Sequence, residues 1–347
     1  LPGEANLQRH WGTAHADTLF ELGYRGHAII AQRVQQYAID CDLKYGAIDV
    51  ALRPRHLAHQ QQTHAALCAR GMEDQVRLVK ADELQHLLGT DKYLGGLVNT
   101  RNGHLHPLNL CLGEARAAAA LGVSLFEGSG VTAIEHGTQA VVKTAQGSVR
   151  ADFVVLAGNA YQQLEPAVLS GLIFPAGSYI VATEPLSAAE AAQINPLDLA
   201  VCDMNEVLDY FRLSADRRLL FGGRCNYSGR EPRDIGGTMV PRLRRIYPQL
   251  AHKRVEYAWG GKIAIVLNRV PLLGRIGPNV FYALGYSGHG VSLSHAVGEV
   301  LADAVAGTCE RMDVFARVPH RKIPFGQTFG SQMVALGMLY FRLRDLL

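Results

Sequence analysis

The stretch Val280-Phe281-Tyr282-Ala283-Leu284-Gly285-Tyr286-Ser287-Gly288-His289-Gly290-Val291 decides the reading of this chain. Residues 280–284 are apolar and predict a short buried strand. Gly285, Gly288 and Gly290 then break it, and the run 291–305 predicts a helix that Gly307 ends. A strand that turns through glycines into a helix offers a ligand a close approach to the backbone. It also offers unpaired N–H groups and the positive end of the helix dipole. Phosphate, or another anionic or electron-rich edge, suits such a junction. Taken alone, the motif also reads as a plain tight turn.

A second junction of this kind is Phe153-Val154-Val155-Leu156-Ala157-Gly158-Asn159. Its apolar run predicts a strand buried on both faces. Ligands of open α/β sheets bind beyond such carboxyl ends, although Gly-Asn is also ordinary turn chemistry. A third stretch, Gly128-Ser129-Gly130-Val131-Thr132-Ala133, fits the pattern G-x-G-x-x-[GA]. A dinucleotide loop must open a helix, and the β-branched residues here predict a strand instead.

Outward from these junctions, apolar periodicity predicts helices over 15–38, 55–70, 81–88, 108–121 and 232–247. His56, His59 and His64 read as a solvated face of the second helix. Strands are expected over 47–52, 123–126, 131–135, 140–144, 149–155 and 178–183, with a hairpin of 208–213 and 218–222 around Ala215-Asp216. The segment 93–107 is glycine-rich and extended. There are no repeats or low-complexity linkers. The mixture predicts a mixed α/β fold in which a doubly wound layer is interleaved with a β-rich layer.

Composition narrows the function. The 347 residues, 48% of them hydrophobic, are enough to bury one large core or two ordinary ones. A net charge of +3 without runs of like charge argues against a nucleic-acid partner. The six cysteines are scattered with no C-x-x-C pair, which predicts reduced, mostly buried thiols and a cytoplasmic protein. No apolar run approaches the ~20 residues that span a bilayer. The segment 333–347 is the most apolar and reads as a packed terminal helix. His104 and His106, two apart, share a face of an extended segment. With no cysteine or carboxylate beside them they read as substrate-side residues, not metal ligands. Tyr210 and Arg212 share one face of a strand and read as pocket lining or as a solvated face. Trp259 reads as a core or interdomain aromatic or as a neighbour of a bound ligand.

The ordered succession Asn102-Gly103-His104-Leu105-His106-Pro107, Leu156-Ala157-Gly158-Asn159-Ala160-Tyr161, Trp259-Gly260-Gly261, Arg269-Val270-Pro271 with Gly274-Arg275, and Gly285-Tyr286-Ser287-Gly288-His289-Gly290-Val291 resembles the D-amino-acid-oxidase-like flavoproteins. The resemblance runs through essentially the whole chain. It implies an FAD-binding layer over 1–38, 104–165 and 266–347, and an antiparallel substrate-binding layer over 39–103 and 166–265. It implies Val131 near the adenine, Gly158 and Asn159 near the phosphate or ribose, and Gly274 and Arg275 close to the ring. Gly285 to Val291 would face the isoalloxazine. Ser287 and His289 would reach flavin or substrate, and Lys262 would assist oxygen reduction unless it is a surface lysine.

The implied reaction is FAD-dependent oxidation of an amine C–N bond by O2, forming H2O2. The implied substrate is a polyamine derivative, because Lys262 and Ile263 stand where glycine-oxidase-like relatives carry a carboxylate-binding arginine. Ala264 to Phe281 holds no cysteine, so FAD is expected to be non-covalent. Family members begin with a strand, a G-x-G-x-x-G loop and a helix, and this sequence starts after them. The expectation is therefore compromised FAD binding and open sheet edges that invite a second copy of the chain. Two other readings stay open: a glycine- or sarcosine-type amino-acid oxidase, and a non-catalytic binding protein.

Overall fold

The computed structural model describes residues 13–205, 207–226, 231–316 and 318–322. The chain enters through a long helix, α1 (Thr13–Gln36), and then β1 (Lys44–Ala51). Helix α2 (Pro54–Cys68) leads to β2 (Val76–Lys80), and α3 (Ala81–Leu88) leads to β3 (Gly95–His104). Helix α4 (Pro107–Ala120) precedes a meander of β4 (Val131–Glu135), β5 (Ala140–Thr144) and β6 (Ser148–Ala151), followed by short β7 (Val154–Leu156). Next come β8 (Phe174–Thr183), α5 (Ala188–Ile194), β9 (Ala200–Asp203), β10 (Asp209–Leu213), β11 (Leu219–Asn226), α6 (Ile235–Ile246) and β12 (Val255–Ile265). The last elements are β13 (Leu272–Ile276), β14 (Val280–Leu284), α7 (Gly290–Val305) and α8 (Glu310–Ala316).

The large sheet has eight strands in the order β12-β8-β11-β10-β9-β1-β3-β2. Only β1 and β9 run parallel; every other neighbouring pair is antiparallel. Its two faces follow from period-two alternation. In β10, Asp209, Phe211 and Leu213 are buried while Tyr210 and Arg212 point to the other side. The buried face packs on α3, α5 and α6 in a core that includes Ile48, Leu84, Ile194, Phe211, Phe221, Met239 and Tyr247. Phe211 stacks on Phe221 at 5.8 Å and meets Tyr247 edge-on at 5.5 Å. The opposite face is open and forms the floor of a cavity.

A second layer stands against this sheet. It holds the three-stranded sheet β13-β14-β7, in which β14 and β7 run parallel, and the meander β4-β5-β6. Helices α1 and α7 pack there over Leu273, Phe281 and Ala283. Their axes come close because Gly26 carries no side chain: a Cβ there would lie 2.1 Å from the carbonyl oxygen of Ser292. The Ser292 hydroxyl donates back to the Gly23 carbonyl at 2.8 Å. Glu114 of α4 ties both helices together, accepting from Arg33 at 2.8 Å and meeting the His295 ring at 3.0 Å. Burial pushes this carboxyl up, but those bonds outweigh it and bring its pKa to about 2.

Several expectations are corrected. The apolar run around β7 forms a strand of three residues at a sheet edge, and Phe153 and Val155 are 45% and 44% exposed. Its sequence is that of a two-faced core strand, but the described chain covers one face. Residues 123–126 form no strand, and Phe126 is 73% exposed. His56 is not on a solvated face: it is buried, and its Nδ1 accepts the Leu52 N–H at 3.3 Å where α2 begins. Gly128 to Gly130 runs into strand β4, as its β-branched residues require. Cys41, Cys68, Cys111, Cys202 and Cys309 are free thiols, with Cys111 exposed rather than buried. No helix among the described residues is long and apolar enough to cross a membrane. The helix expected over 333–347 lies outside the described residues.

The stacked pair carries much of the main core. Phe221→Ala, at a side chain with no exposure, is expected to cost ~3–5 kcal/mol. Urea denaturation checks this through a lower midpoint at unchanged m-value.

Candidate active site

Parallel pairing of β14 and β7 aligns Val280 with Val154 and Tyr282 with Leu156. Their carboxyl ends therefore lie side by side, and the two glycine junctions meet. The Asn159 side-chain oxygen accepts the Gly285 N–H at 3.0 Å. Gly285 has φ +77°, and a Cβ there would lie 2.2 Å from Val266 Cγ2, so no side chain fits. Ser287, also left-handed at φ +54°, ties the loop to the end of β12. Its N–H donates to the Ala264 carbonyl at 2.8 Å. Its hydroxyl accepts the Val266 N–H at 3.1 Å and donates to the Gly285 carbonyl at 3.3 Å. The hydroxyl is thereby spent on holding the loop.

Beyond Ser287 the loop opens outward. Gly288, His289 and Val291 are exposed, while Leu284, Gly285 and Ser287 are buried. His289 is the N-cap of α7 and makes no side-chain cap. The first N–H groups of α7 therefore have no side-chain acceptor, and the exposed backbone fits an electron-rich ring edge such as that of a flavin. Tyr286 is largely enclosed, and burial pushes its hydroxyl up to about 12. Gly274 of β13 is buried beneath the ring of its cross-strand partner Tyr282, whose Oη would lie 2.2 Å from a Cβ there. Arg275 points to the exposed face of β13, and Val131 begins β4 in the separate meander.

The open face of the large sheet floors a cavity of about 480 Å³. Trp259 of β12, Tyr210 and Arg212 of β10 and His104 of β3 line it, together with Val291 and Ser292 of α7. The Tyr210 hydroxyl shares a hydrogen bond with Ser178 at 2.9 Å. The Arg212 guanidinium donates to the carbonyls of Leu213 and Leu105, each at 2.9 Å. The His104 Nε2 lies 2.7 Å from the Asp198 carbonyl oxygen, and burial lowers its pKa, which keeps the ring neutral. His106 does not line the cavity. Strand β3 ends at His104, so the alternation stops, and the His106 Nδ1 caps α4 by accepting the Asn109 N–H at 3.2 Å. Lys262 is exposed on β12, its backbone N–H donating to the Tyr161 hydroxyl at 3.3 Å. Among the described residues no cluster of three His, Cys, Asp or Glu side chains is arranged to hold a metal ion.

Sequence reading missed three polar groups of this cavity: Asp49, Arg101 and His27. Asp49 is exposed to the cavity, and the protein crowded around that cavity desolvates its carboxyl and pushes it up to about 6. Arg101 lies over the Tyr24 ring at 4.1 Å. Burial, assisted by the Arg101 charge, lowers the pKa of His27. The only signal for Asp49 was a carboxylate inside the otherwise apolar run of β1.

A family model described as FAD dependent oxidoreductase matches residues 4–304. The gamma-glutamylputrescine oxidoreductase of Escherichia coli strain K12 is 38% identical over 98% of this chain and 80% of its own length. Among solved structures, the L-proline dehydrogenase of P. horikoshii superposes with a TM-score of 0.74, covering 90% of this chain and 85% of that one at 18% identity. The glycine oxidase of Geobacillus kaustophilus gives 0.72, covering 85% and 79% at 20% identity. These two share the fold.

The bonding of Ser287 separates a structural role from a chemical one. Ser287→Ala leaves the buried Val266 N–H without its acceptor and is expected to cost ~1–3 kcal/mol of stability. Calorimetric unfolding checks the loss. If stability is unchanged while turnover collapses, Ser287 acts in the chemistry instead.

Proposed function

This chain belongs to the FAD dependent oxidoreductase family, and we propose that it oxidises a C–N bond of a γ-glutamylputrescine-like polyamine derivative. The acceptor is O2. Amine, O2 and water yield aldehyde, ammonia and H2O2. Non-covalent FAD, when bound, takes the hydride from the carbon beside the amine nitrogen and returns the electrons to O2. The cofactor layer comprises 1–38, 104–165 and 266–347, and the substrate layer 39–103 and 166–265. Gly158, Asn159, Gly274 and the loop from Gly285 to Val291 serve the cofactor. His104, Tyr210, Arg212 and Trp259 serve the substrate.

The observation that carries this reading is the cavity, which lies between the open face of the large sheet and the N-terminus of α7. Its size suits an extended small molecule. Ile30, Leu43, Ile180, Val201, Leu220 and Trp259 give it an apolar lining. An amine must be neutral to lose hydride, and an apolar surround depresses its pKa. The 38% identity to a gamma-glutamylputrescine oxidoreductase supports the substrate class.

A glycine- or sarcosine-type oxidase is the second reading. Arg101 in the cavity favours it, since it brings a guanidinium suited to a carboxylate.

The test is a visible spectrum of the full-length protein reconstituted with FAD. Flavin bands that bleach anaerobically with γ-glutamylputrescine, and H2O2 equimolar with aldehyde in air, are expected. Bleaching by glycine or sarcosine alone would move the assignment to the second reading. A folded protein that retains no flavin would leave a non-catalytic binding role.

A further inference from the structure

The cavity contains a carboxylate with no counter-charge. Among the described residues Asp49 is its only acidic lining residue. The side chain makes no hydrogen bond or ion pair among the described residues, and its backbone carbonyl alone accepts from Gln60, at 2.7 Å. Among the described residues no hydrogen bond or ion pair joins it to Arg101 or Arg212, whose guanidiniums lie on the Tyr24 ring and on two backbone carbonyls. Around it face Cys202 of β9, Tyr210 and Arg212 of β10, and Arg101 and His104 of β3. Arg212 is committed to two backbone carbonyls and His104 to a third.

Arg101 is the matching opposite charge. Its guanidinium lies on an aromatic face and meets no carboxylate among the described residues. It stands on β3 between Asn99 and Gly103, the partners of Ala47 and Tyr45 on β1, while Asp49 pairs with Leu97. Asp49 and Arg101 thus occupy adjacent strands, ~10 Å apart along them. They share one cavity without neutralising each other. Both side chains are open to the cavity and paired with no protein group among the described residues, so a ligand that carries both charges can pair with both.

The reacting nitrogen is not that ligand group. A carboxylate beside it would favour its ammonium form, and an ammonium cannot release hydride. Asp49 therefore serves a second cation on the substrate, away from the reacting end. Resting on the amine-oxidase reading above, we infer that Asp49 and Arg101 form a subsite for a zwitterionic α-amino-acid head, with Asp49 receiving its ammonium and Arg101 its carboxylate. The substrate class is then an α-amino acid whose side chain ends in an oxidisable amine, as in a γ-glutamyl diamine. Simple diamines and N-acetylated diamines lack the head.

The test uses full-length, FAD-loaded protein and three compounds: γ-glutamylputrescine, N-acetylputrescine and N5-butylglutamine. The last has the head but no terminal amine to oxidise, so calorimetry reads its binding without turnover. Loss of one charged contact is expected to weaken binding on the order of ten- to a hundredfold. Asp49→Asn and Arg101→Gln should each raise the KM for γ-glutamylputrescine and the Kd for N5-butylglutamine by that factor. Neither should shift the KM for N-acetylputrescine comparably, and Asp49→Glu should recover part of the loss. Equal Kd values for N5-butylglutamine in wild type and both variants would overturn the subsite. So would parallel losses with N-acetylputrescine. If the amines fail to bleach the flavin, the oxidase reading fails, and the calorimetric comparison still decides the subsite.

The fold supplies an independent readout. Desolvation moves the Asp49 carboxyl from the ordinary 3.8 up to about 6, an effect that solvent screening reduces because the side chain is open to the cavity. Wild type is therefore destabilised as pH rises through that window. Asp49→Asn should melt above wild type at pH 8, with the advantage shrinking at pH 4. A melting difference that does not vary with pH would overturn the assignment of Asp49 as an unpaired charge.

Discussion

Everything in the candidate site depends on where one loop is held. Gly285 to Gly290 leaves β14, belongs to the smaller layer, and is fastened to the end of β12, which belongs to the large sheet. Ser287 makes that join with its N–H to the Ala264 carbonyl and its hydroxyl from the Val266 N–H. Asn159 holds the same loop from the end of β7. Remove these bonds and the two layers still have their own cores. What is lost is the register between the exposed N-terminus of α7 and the cavity floor. The contact of α1 with α7 at Gly26 fixes that helix from behind. A wedge of any side chain there would rotate or lift the N–H groups that the site presents.

The cavity floor shows a different economy. Every strand that crosses it spends one face on the core of Phe211, Phe221 and Tyr247 and the other on the cavity. Because the side-chain period is two, a residue such as Tyr210 or Asp49 changes the cavity without disturbing the core behind it. Polar groups there are of two kinds. Arg212 and Tyr210 are satisfied by the protein itself, and His104 through its Nε2 alone. Asp49 and Arg101 are not, and they are the groups left with interactions to give a ligand.

Much of this was legible in the sequence, for physical reasons. The glycine junction at 285–290, the helix after it, the helix 81–88 and the hairpin around Ala215-Asp216 all follow from local chemistry: turn glycines, apolar period and acidic first turns. The pairing of the Gly158-Asn159 junction with the Gly285 loop was not read, because parallel neighbours distant in sequence leave no local mark. Three readings failed where local pattern met tertiary context. The run at 153–157 reads as a two-faced core strand, yet Val155 is exposed. His56 sits on a polar helix, yet its ring caps a backbone N–H and is buried. His104 and His106 share a face only if the strand continues, and it ends between them.

Asp49 escaped for a more general reason. A carboxylate in an apolar strand looks like a solvated edge residue until the strand's neighbours are known. With β3 on one side and β9 on the other, β1 is interior to the sheet, and its outward face opens into the cavity, where Asp49 stays exposed. An interior strand then has no structural use for an acid at that position. A charge left unpaired on the cavity face is available to a ligand. The same reasoning separates Asp49 from Asp209. Asp209 is buried in this sheet, and Arg242 pairs with it at 2.7 Å on the core side. One acid is consumed by the architecture; the other is left facing the cavity, beside an arginine that no acid of the described chain takes.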